Sequence, residues 1–300
     1  MRSFFNPLTG DTFTPSRLMW DRGGDEPGPL TVLMCGVHGN EPSGWLALDA
    51  VGQTLTVSRG RVIAVCANLA AVEAGVRYVE RDMNRLWGRP DDTPDGRELA
   101  AVTELLEPLL DHDGPKHFLD CHSVSGESVP FLSVLGEPAC AAFAERLPAH
   151  AVLGAGDHLP GVSDRWLFER GFVGCTSEAG RHEELATAEA QEALVWSALS
   201  AAGNVSEETA EVRRSQARLW RLLLDGRRNF EVRHVHQIAA DAEFIMRPGY
   251  FNFRPVREGE TLAVEAGEEV RSPCGGRVYM PLYQPQGAVG FSIVREIGAG

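Results

Sequence analysis

The first two-thirds of this 300-residue chain alternates strand-like apolar runs with segments of helical periodicity. The predicted strands cover residues 31–37, 61–67, 117–121, 131–134 and 172–177. The predicted helices cover residues 41–51, 95–110, 137–147 and 181–202. This alternation predicts an α/β fold in which helices flank a mostly parallel or mixed sheet.

The last quarter of the chain has a different texture. A polar break at 202–206 precedes one more helical pattern at 207–224. Beyond it, short alternating runs separated by glycine and proline occur at 230–235, 243–246, 261–264, 276–280 and 290–294. Such runs are typical of a small all-β domain. We therefore predict two domains, residues 1–225 and residues 226–300.

Three polar side chains fall just past predicted strands: His38, His122 and Glu178. In sheets of this kind, sites form beyond the carboxyl ends of strands. His38 and Glu41 are three residues apart, and with His122 they would give a metal three protein ligands and one open position, as in catalytic zinc sites. Each residue alone also has an ordinary structural explanation, since carboxylates favour helix N-termini and histidines are common at strand ends.

Four short segments contain these residues and further polar residues that could belong to the same site. They are Gly36-Val37-His38-Gly39-Asn40-Glu41, the Arg77–Arg85 segment with Asp82 and Asn84, Asp120-Cys121-His122, and Glu178-Ala179-Gly180. Their content and order resemble the succinylglutamate desuccinylase and aspartoacylase family, a branch of the zinc carboxypeptidase superfamily. The resemblance covers roughly residues 30–182.

The resemblance implies a site that holds one zinc ion per chain. The implied residues are the zinc ligands His38, Glu41 and His122, the general base Glu178, the carbonyl-polarising Arg77, and Asn84 with Arg85 as a clamp on a substrate carboxylate. These roles are chemically reasonable, because zinc lowers the pKa of its bound water towards about 7 and a carboxylate beside that water can move its proton. A guanidinium supports an oxyanion or binds a carboxylate with two hydrogen bonds.

Other parts of the family's site match less closely. The stretch from Ser123 to Glu127 replaces a threonine-rich segment, so the acyl specificity does not carry over. Arg165 is a candidate for a further substrate-binding arginine, and a surface-helix role is an equal alternative. Tyr283, or Tyr279, is a candidate for a tyrosine that reaches the site from the second domain. In the family that β domain is barrel-like and restricts access, which favours small substrates.

We therefore expect a zinc-dependent amidohydrolase that removes an acyl group from an N-acyl amino acid or similar small amide by attack of zinc-bound hydroxide. Two alternatives stay open: a metallocarboxypeptidase acting on small peptides, and a non-catalytic zinc-binding protein of the same fold. A panel of N-acetyl amino acids and short peptides distinguishes the amidohydrolase from the carboxypeptidase. Metal analysis with a hydrolysis assay tests whether the protein is a non-catalytic zinc-binding protein.

Charge and cysteine use limit the partners and the location. The formal net charge of −14 argues against binding to nucleic acid or to an anionic membrane surface. The N-terminus lacks a signal peptide's apolar core, and the scattered cysteines resemble reduced core residues. We expect a cytoplasmic protein that acts on a small molecule, and a homo-oligomer is compatible with the sequence.

Overall fold

The computed structural model describes residues 1–223 and 226–298. Within these ranges the chain forms seven α-helices and sixteen strands. The strands are β1 (Phe4–Phe5), β2 (Thr12–Phe13), β3 (Leu18–Gly23), β4 (Glu26–Cys35), β5 (Arg59–Cys66), β6 (Lys116–Val124), β7 (Phe131–Val134), β8 (His150–Leu153), β9 (Phe172–Arg181), β10 (Asn229–Gln237), β11 (Phe244–Met246), β12 (Pro255–Val256), β13 (Thr261–Glu265), β14 (Glu268–Arg271), β15 (Gly276–Tyr279) and β16 (Val289–Ile297). The helices are α1 (Ser43–Thr54), α2 (Leu69–Ala74), α3 (Pro94–Leu106), α4 (Pro138–Ala144), α5 (Ser163–Phe168), α6 (Leu185–Ala202) and α7 (Ala210–Leu222).

The main sheet has eleven strands in the order β12-β15-β16-β10-β8-β7-β9-β6-β4-β5-β3 among the residues described. Strand β4 runs parallel to both β5 and β6, and β6 runs parallel to β9. Strands β3 and β7 are antiparallel to their neighbours β5 and β9. The predicted α/β fold with a mixed sheet is confirmed.

Strand β4 lies at the centre of this architecture, and every residue from 30 to 35 is buried. A parallel strand covered on both faces needs such a continuous apolar run. On one face it packs with α1 and α6, which contribute Trp45 and Leu194. On the other face α3 contributes Leu99 and Val102. No helix in the described ranges has both the length and the apolar character required to cross a lipid bilayer.

The strand register brings the carboxyl ends of β4, β6 and β9 to one edge of the sheet. Cys35 pairs with Cys121, and Cys121 pairs with Ser177. His122 then lies directly opposite Glu178 on the neighbouring strand. Residues at or near the carboxyl ends of these three strands are therefore neighbours in space, although they are far apart in sequence.

The C-terminal region shares the main sheet. Strand β10 pairs in parallel with β8 and antiparallel with β16, so the sheet continues without a break into residues after 226. The region also has its own three-stranded sheet, β11-β13-β14, and its own core around Leu262, Val278 and Phe291. The predicted boundary at residue 225 lies outside the described residues, and the division into two domains stays a prediction.

Most predicted elements are present, with shifted ends. Strand β7 has the predicted bounds, whereas the helix predicted from residue 41 begins at Ser43, so Glu41 precedes it. The helix predicted for 95–110 ends at Leu106 and continues only as a 3₁₀ turn, Glu107–Leu109, because Pro108 removes a backbone donor. Strands β1, β2, β3, β8, β12 and β14 and helices α2 and α5 were not predicted. The helix predicted for 207–224 begins at Ala210, and residue 224 lies outside the described residues.

A half-buried imidazole at the junction of β8 and β10 makes stability depend on pH. Nδ1 of His150 accepts a hydrogen bond from the backbone N–H of Arg228 at 3.1 Å, and the ring lies edge-on to Phe230 and Phe253. Burial and the nearby Arg228 and Arg227 charges lower the pKa of His150 from 6.5 to about 4. The unfolded chain therefore binds this proton first as the pH falls.

We expect the free energy of unfolding to be highest above pH 6.5 and to fall by about 2 kcal/mol between pH 6.5 and 4 on account of His150, after allowing for its partial exposure. Urea unfolding across this range measures the effect. His150→Asn keeps an acceptor for the Arg228 N–H but cannot titrate. An equally steep decline in that variant would contradict the assignment.

Candidate metal centre and active site

Two imidazoles converge on one buried carboxylate at the sheet edge. His38 Nδ1 lies 2.9 Å from Glu41 Oε1, and His122 Nδ1 lies 3.0 Å from Glu41 Oε2. One ligand atom from each of the three residues lies within 4.8 Å of the others, and all three residues are buried. The structure thus brings together the three residues that the sequence predicts as metal ligands.

Two glycines shape the turn that carries His38 and Glu41. Gly36 has a φ of 64°, a left-handed conformation that favours glycine. A Cβ on Gly39 would lie 2.0 Å from the carbonyl carbon of Ala71. The chain therefore turns sharply after β4 and packs its backbone against α2, which explains both glycines of the motif.

The outer nitrogens of both imidazoles face carboxylates. His38 Nε2 lies 3.1 Å from Asp82 Oδ1, and His122 Nε2 lies 3.1 Å from Asp120 Oδ2, although the angle of the second contact falls short of a hydrogen bond. Carboxylates in this position favour a proton on Nε2 and leave Nδ1 as a free ligand atom. Both aspartates belong to the sequence motifs: Asp120 stands two residues before His122, and Asp82 lies in the Arg77–Arg85 segment.

This arrangement of donors fits a cation. A metal ion would take the place of protons on the two Nδ1 atoms, while Nε2 of each ring keeps its proton. Burial opposes charge on the Glu41 carboxylate and on the His122 imidazole. The neighbouring His38 and His122 nevertheless hold the pKa of Glu41 well below its usual range. Asp120 and Glu41 likewise raise the pKa of His122 well above its usual range despite burial. The cluster therefore favours positive charge and can hold a metal ion.

The loop between α2 and α3 brings three more predicted residues to the same cavity. Arg77 lies 3.4 Å from Glu41 Oε1 and 3.4 Å from Asp82 Oδ2. Arg85 is largely buried, and burial lowers its pKa. The Asn84 side-chain oxygen accepts the backbone N–H of Ser163 at 2.9 Å, so its amide N–H groups stay available for other acceptors. Arg77, Asn84 and Arg85 all line the cavity.

Asp95 holds this loop in place, and sequence reasoning missed it. Its carboxylate accepts the backbone N–H groups of Val79, Glu80 and Arg81 at 2.8–3.0 Å and the side-chain amide of Asn68 at 2.7 Å. Burial works against ionisation, but these hydrogen bonds lower the pKa of Asp95 overall. The only hint in the sequence is an acidic residue in the first turn of a helix.

Asp95→Ala should lower the free energy of unfolding by about 3 kcal/mol, because it leaves several backbone donors without an acceptor. It should also lower kcat/KM, since the loop presents Arg77 and Arg85 to the cavity. Denaturant unfolding measures the first effect. Asp92→Ala, at an exposed position nearby, is the matched control, and equal stability of the two variants would contradict this role.

Glu178 lies near the carboxyl end of β9 and lines the cavity. The residue is buried, and its Oε2 has no hydrogen-bond partner among the described residues. Burial raises the pKa of Glu178 well above its usual range, and the charges of His122 and Arg77 only partly offset the effect. A buried carboxyl group with an unpaired oxygen next to this His–Glu–His cluster is suited to exchanging a proton with a bound molecule.

The cluster opens into a cleft with about 1330 Å³ of empty space, including its mouth. The C-terminal region contributes part of the wall, including Tyr279, Leu282 and Val289. Tyr283 is not among the residues that line the cleft. Its hydroxyl lies 2.6 Å from the backbone oxygen of Arg247 and 3.0 Å from that of Tyr250, and these contacts hold the side chain away from the cleft. Of the two predicted tyrosines, the structure brings Tyr279 to the cleft.

Arg165 lies apart from this group of residues. Its guanidinium donates to Glu137 at 2.7 Å and to Asp157 at 2.9 Å, and it is not among the residues that line the cleft. In the predicted 123–127 stretch, Ser123 lines the cleft, while Glu127 is exposed and does not. The Ser123 backbone N–H donates to Glu41 Oε2 at 3.0 Å and so helps to orient that carboxylate.

Comparison with known proteins identifies the family. The model described as the succinylglutamate desuccinylase/aspartoacylase catalytic domain matches residues 27–201. A succinylglutamate desuccinylase from Serratia proteamaculans is 29% identical over 261 residues, covering 80% of this chain and 76% of the relative. One from Pseudomonas syringae pv. tomato is 33% identical over 78 residues, which span only 25% of this chain and 23% of the relative.

Solved structures show the same fold. A succinylglutamate desuccinylase/aspartoacylase from Rhodobacter sphaeroides superposes with a TM-score of 0.68 at 20% identity, covering 91% of this chain and 87% of that one. The product-bound ectoine utilization protein EutE (DoeB) from Ruegeria pomeroyi has a TM-score of 0.69 at 23% identity, covering 91% and 86%.

The solved structures share the fold of this chain. This chain belongs to the succinylglutamate desuccinylase/aspartoacylase family. The resemblance predicted from its four motifs is confirmed.

Proposed function

We propose that this protein is a zinc-dependent amidohydrolase that removes an acyl group from an N-acyl amino acid or a similar small amide. One observation carries the proposal. A buried His38–Glu41–His122 cluster, an unpaired Glu178 carboxyl group and the Asn84–Arg85 pair all face one cleft. The relatives' names support this activity, since they describe the removal of succinyl groups from an amino acid.

His38 and His122 through Nδ1, together with Glu41, would hold the zinc ion. Zinc bound there supplies Lewis-acid chemistry, which makes water a stronger nucleophile near neutral pH. Asp82 and Asp120 orient the two imidazoles from behind, and the Ser123 backbone N–H does the same for Glu41.

Glu178 takes a proton from the attacking water and passes it to the departing amine nitrogen as the amide bond breaks. Arg77 donates to the carbonyl oxygen as negative charge develops on it. Arg85 and the Asn84 amide bind the carboxylate of the amino acid, which fixes the amide in register with Glu178. The wall contributed by residues 279–292 supports restricted access and thus small substrates.

Arg85→Ala should raise KM for N-acetyl amino acids about 10- to 100-fold, because a charge-assisted hydrogen bond to the substrate is lost. The matching neutral substrates, N-acetyl amino acid amides, should change far less. Steady-state kinetics on both series measures the difference, with exposed Arg89→Ala as control. Equal effects on both series would exclude a carboxylate clamp.

Assay of the zinc-loaded protein against N-acetyl amino acids and short peptides tests the function itself. Faster cleavage of the acylated amino acids supports the proposal, while faster cleavage of peptide C-termini would indicate a carboxypeptidase.

We also propose a cytoplasmic location, which the six free cysteines support.

A further inference from the structure

The charged side chains that line the cleft indicate a narrower class of substrates than membership of the family does. Four carboxylates among the described residues line it: Glu41, Asp82, Asp164 and Glu178. Two guanidiniums, Arg77 and Arg85, face them. Arg77 already pairs with Glu41 and Asp82, and Glu41 would also hold a divalent cation, so these positive charges already face acidic partners. A substrate with several carboxylates would bring negative charge that nothing in this part of the cleft neutralises.

Of the two guanidiniums that line the cleft among the described residues, Arg85 has donors left for a substrate's carboxylate, since only its Nη1 donates to a protein acceptor, the Asn84 carbonyl at 2.6 Å. Arg77 is engaged by Glu41 and Asp82, and the proposed mechanism assigns it to the reacting carbonyl. Arg165 is held by two acidic side chains outside the cleft. Lys116, the only lysine, donates to the Leu110 carbonyl at 2.8 Å from the amino end of β6, opposite the edge where the cluster lies.

The wall contributed by β10 and the C-terminal segment is mainly apolar. Strand β10 contributes Val232 and Val235, and the C-terminal segment adds Leu282 and Val289. The polar side chains among them, such as Gln284, are neutral. A carboxylate placed against this wall would lose its water without gaining a partner, which is strongly unfavourable.

We propose that this site takes N-acyl amino acids with a single carboxylate, in which both the acyl group and the side chain are uncharged and mainly apolar. The inference rests on the proposed function and specifies its substrate class. It separates this chain from relatives named for succinylglutamate, a molecule with three carboxylates.

Matched pairs of compounds test the proposal. N-butanoyl-leucine and N-succinyl-leucine differ by one terminal carboxylate on the acyl group, and N-acetyl-leucine and N-acetyl-aspartate differ in side-chain charge. With zinc-loaded protein, we expect kcat/KM for the neutral member of each pair to be at least about 100-fold higher, which corresponds to about 2.7 kcal/mol. Equal rates, or faster cleavage of the charged member, would overturn the inference and leave the amidohydrolase proposal standing.

Binding gives a second readout that does not need turnover. Calorimetric titration of zinc-loaded Glu178→Gln with the same pairs should give a lower Kd for each neutral member. If no compound is cleaved by the parent protein, the amidohydrolase proposal fails, while these Kd values still decide the charge preference. Tighter binding of the charged members would overturn it.

A variant adds a gain-of-function test. Val235→Arg places a cation in the half-buried apolar wall and should raise the cleavage of N-succinyl-leucine relative to N-butanoyl-leucine at least about tenfold. Ile245→Arg, at an exposed position of the same region, is the control and should leave the ratio unchanged. An unchanged ratio in a folded, zinc-loaded Val235→Arg variant would contradict the assignment of this wall.

Discussion

Glu178→Gln should lower kcat by about 10³-fold while the protein keeps its zinc and its fold. Glutamine has nearly the same shape but cannot accept a proton, and general acid–base catalysis commonly contributes 10²- to 10⁴-fold. Oε2 of Glu178 has no protein partner among the described residues, so little structure should be lost. The measurement is steady-state kinetics beside metal analysis on the same preparation.

The neighbouring exposed carboxylate of Glu127 provides the control for this experiment. Glu127→Gln removes a charge near the cleft without touching the cluster and should leave kcat within about twofold. If Glu178→Gln retained full activity, Glu178 would not be the base. If the Glu178→Gln variant lost zinc together with its activity, the role of Glu178 would be in metal binding.

His122→Ala should lose both the metal and the activity. Loss of a partner behind a ligand typically weakens metal binding 10- to 100-fold, and loss of the ligand itself should exceed that. Competition with a chromophoric chelator measures the zinc Kd. We expect Asp120→Asn to show an intermediate loss, because it keeps the imidazole but weakens its orientation.

His234→Ala is the matched control, since it removes an imidazole from β10 instead of one from the cluster. Its zinc Kd should equal that of the parent protein. Normal zinc content in His122→Ala would refute the ligand set, and the mechanism built on it would fail as well.

The sequence predicted the site better than it predicted the surroundings of the site. His38, His122 and Glu178 were identified because each follows an apolar strand, and parallel register then places them at one edge. That inference needs only local patterns and a general property of sheets. The ends of elements were less accurate, as at Glu41, because Pro42 delays the helix by two residues.

The contacts that the sequence could not reveal depend on long-range packing. Asp95 supports a loop that lies 14 to 16 residues before it, and nothing in its local pattern distinguishes it from an ordinary helix-starting carboxylate. Arg165 was a candidate substrate ligand with a surface-helix role as the alternative, and only the structure shows Glu137 and Asp157 beside it. The apolar wall from β10 likewise depends on the pairing of β10 with β8, which no local pattern encodes.

X-ray absorption spectroscopy of the zinc-loaded protein tests the central claim most directly. Coordination by His38, His122 and Glu41 predicts two imidazole nitrogens and oxygen ligands at about 2.0–2.2 Å. The imidazole scattering should fall by half in a His38→Ala sample that is forced to bind zinc by excess metal. A zinc ion surrounded only by oxygen, or one with unchanged imidazole scattering in that variant, would contradict the account.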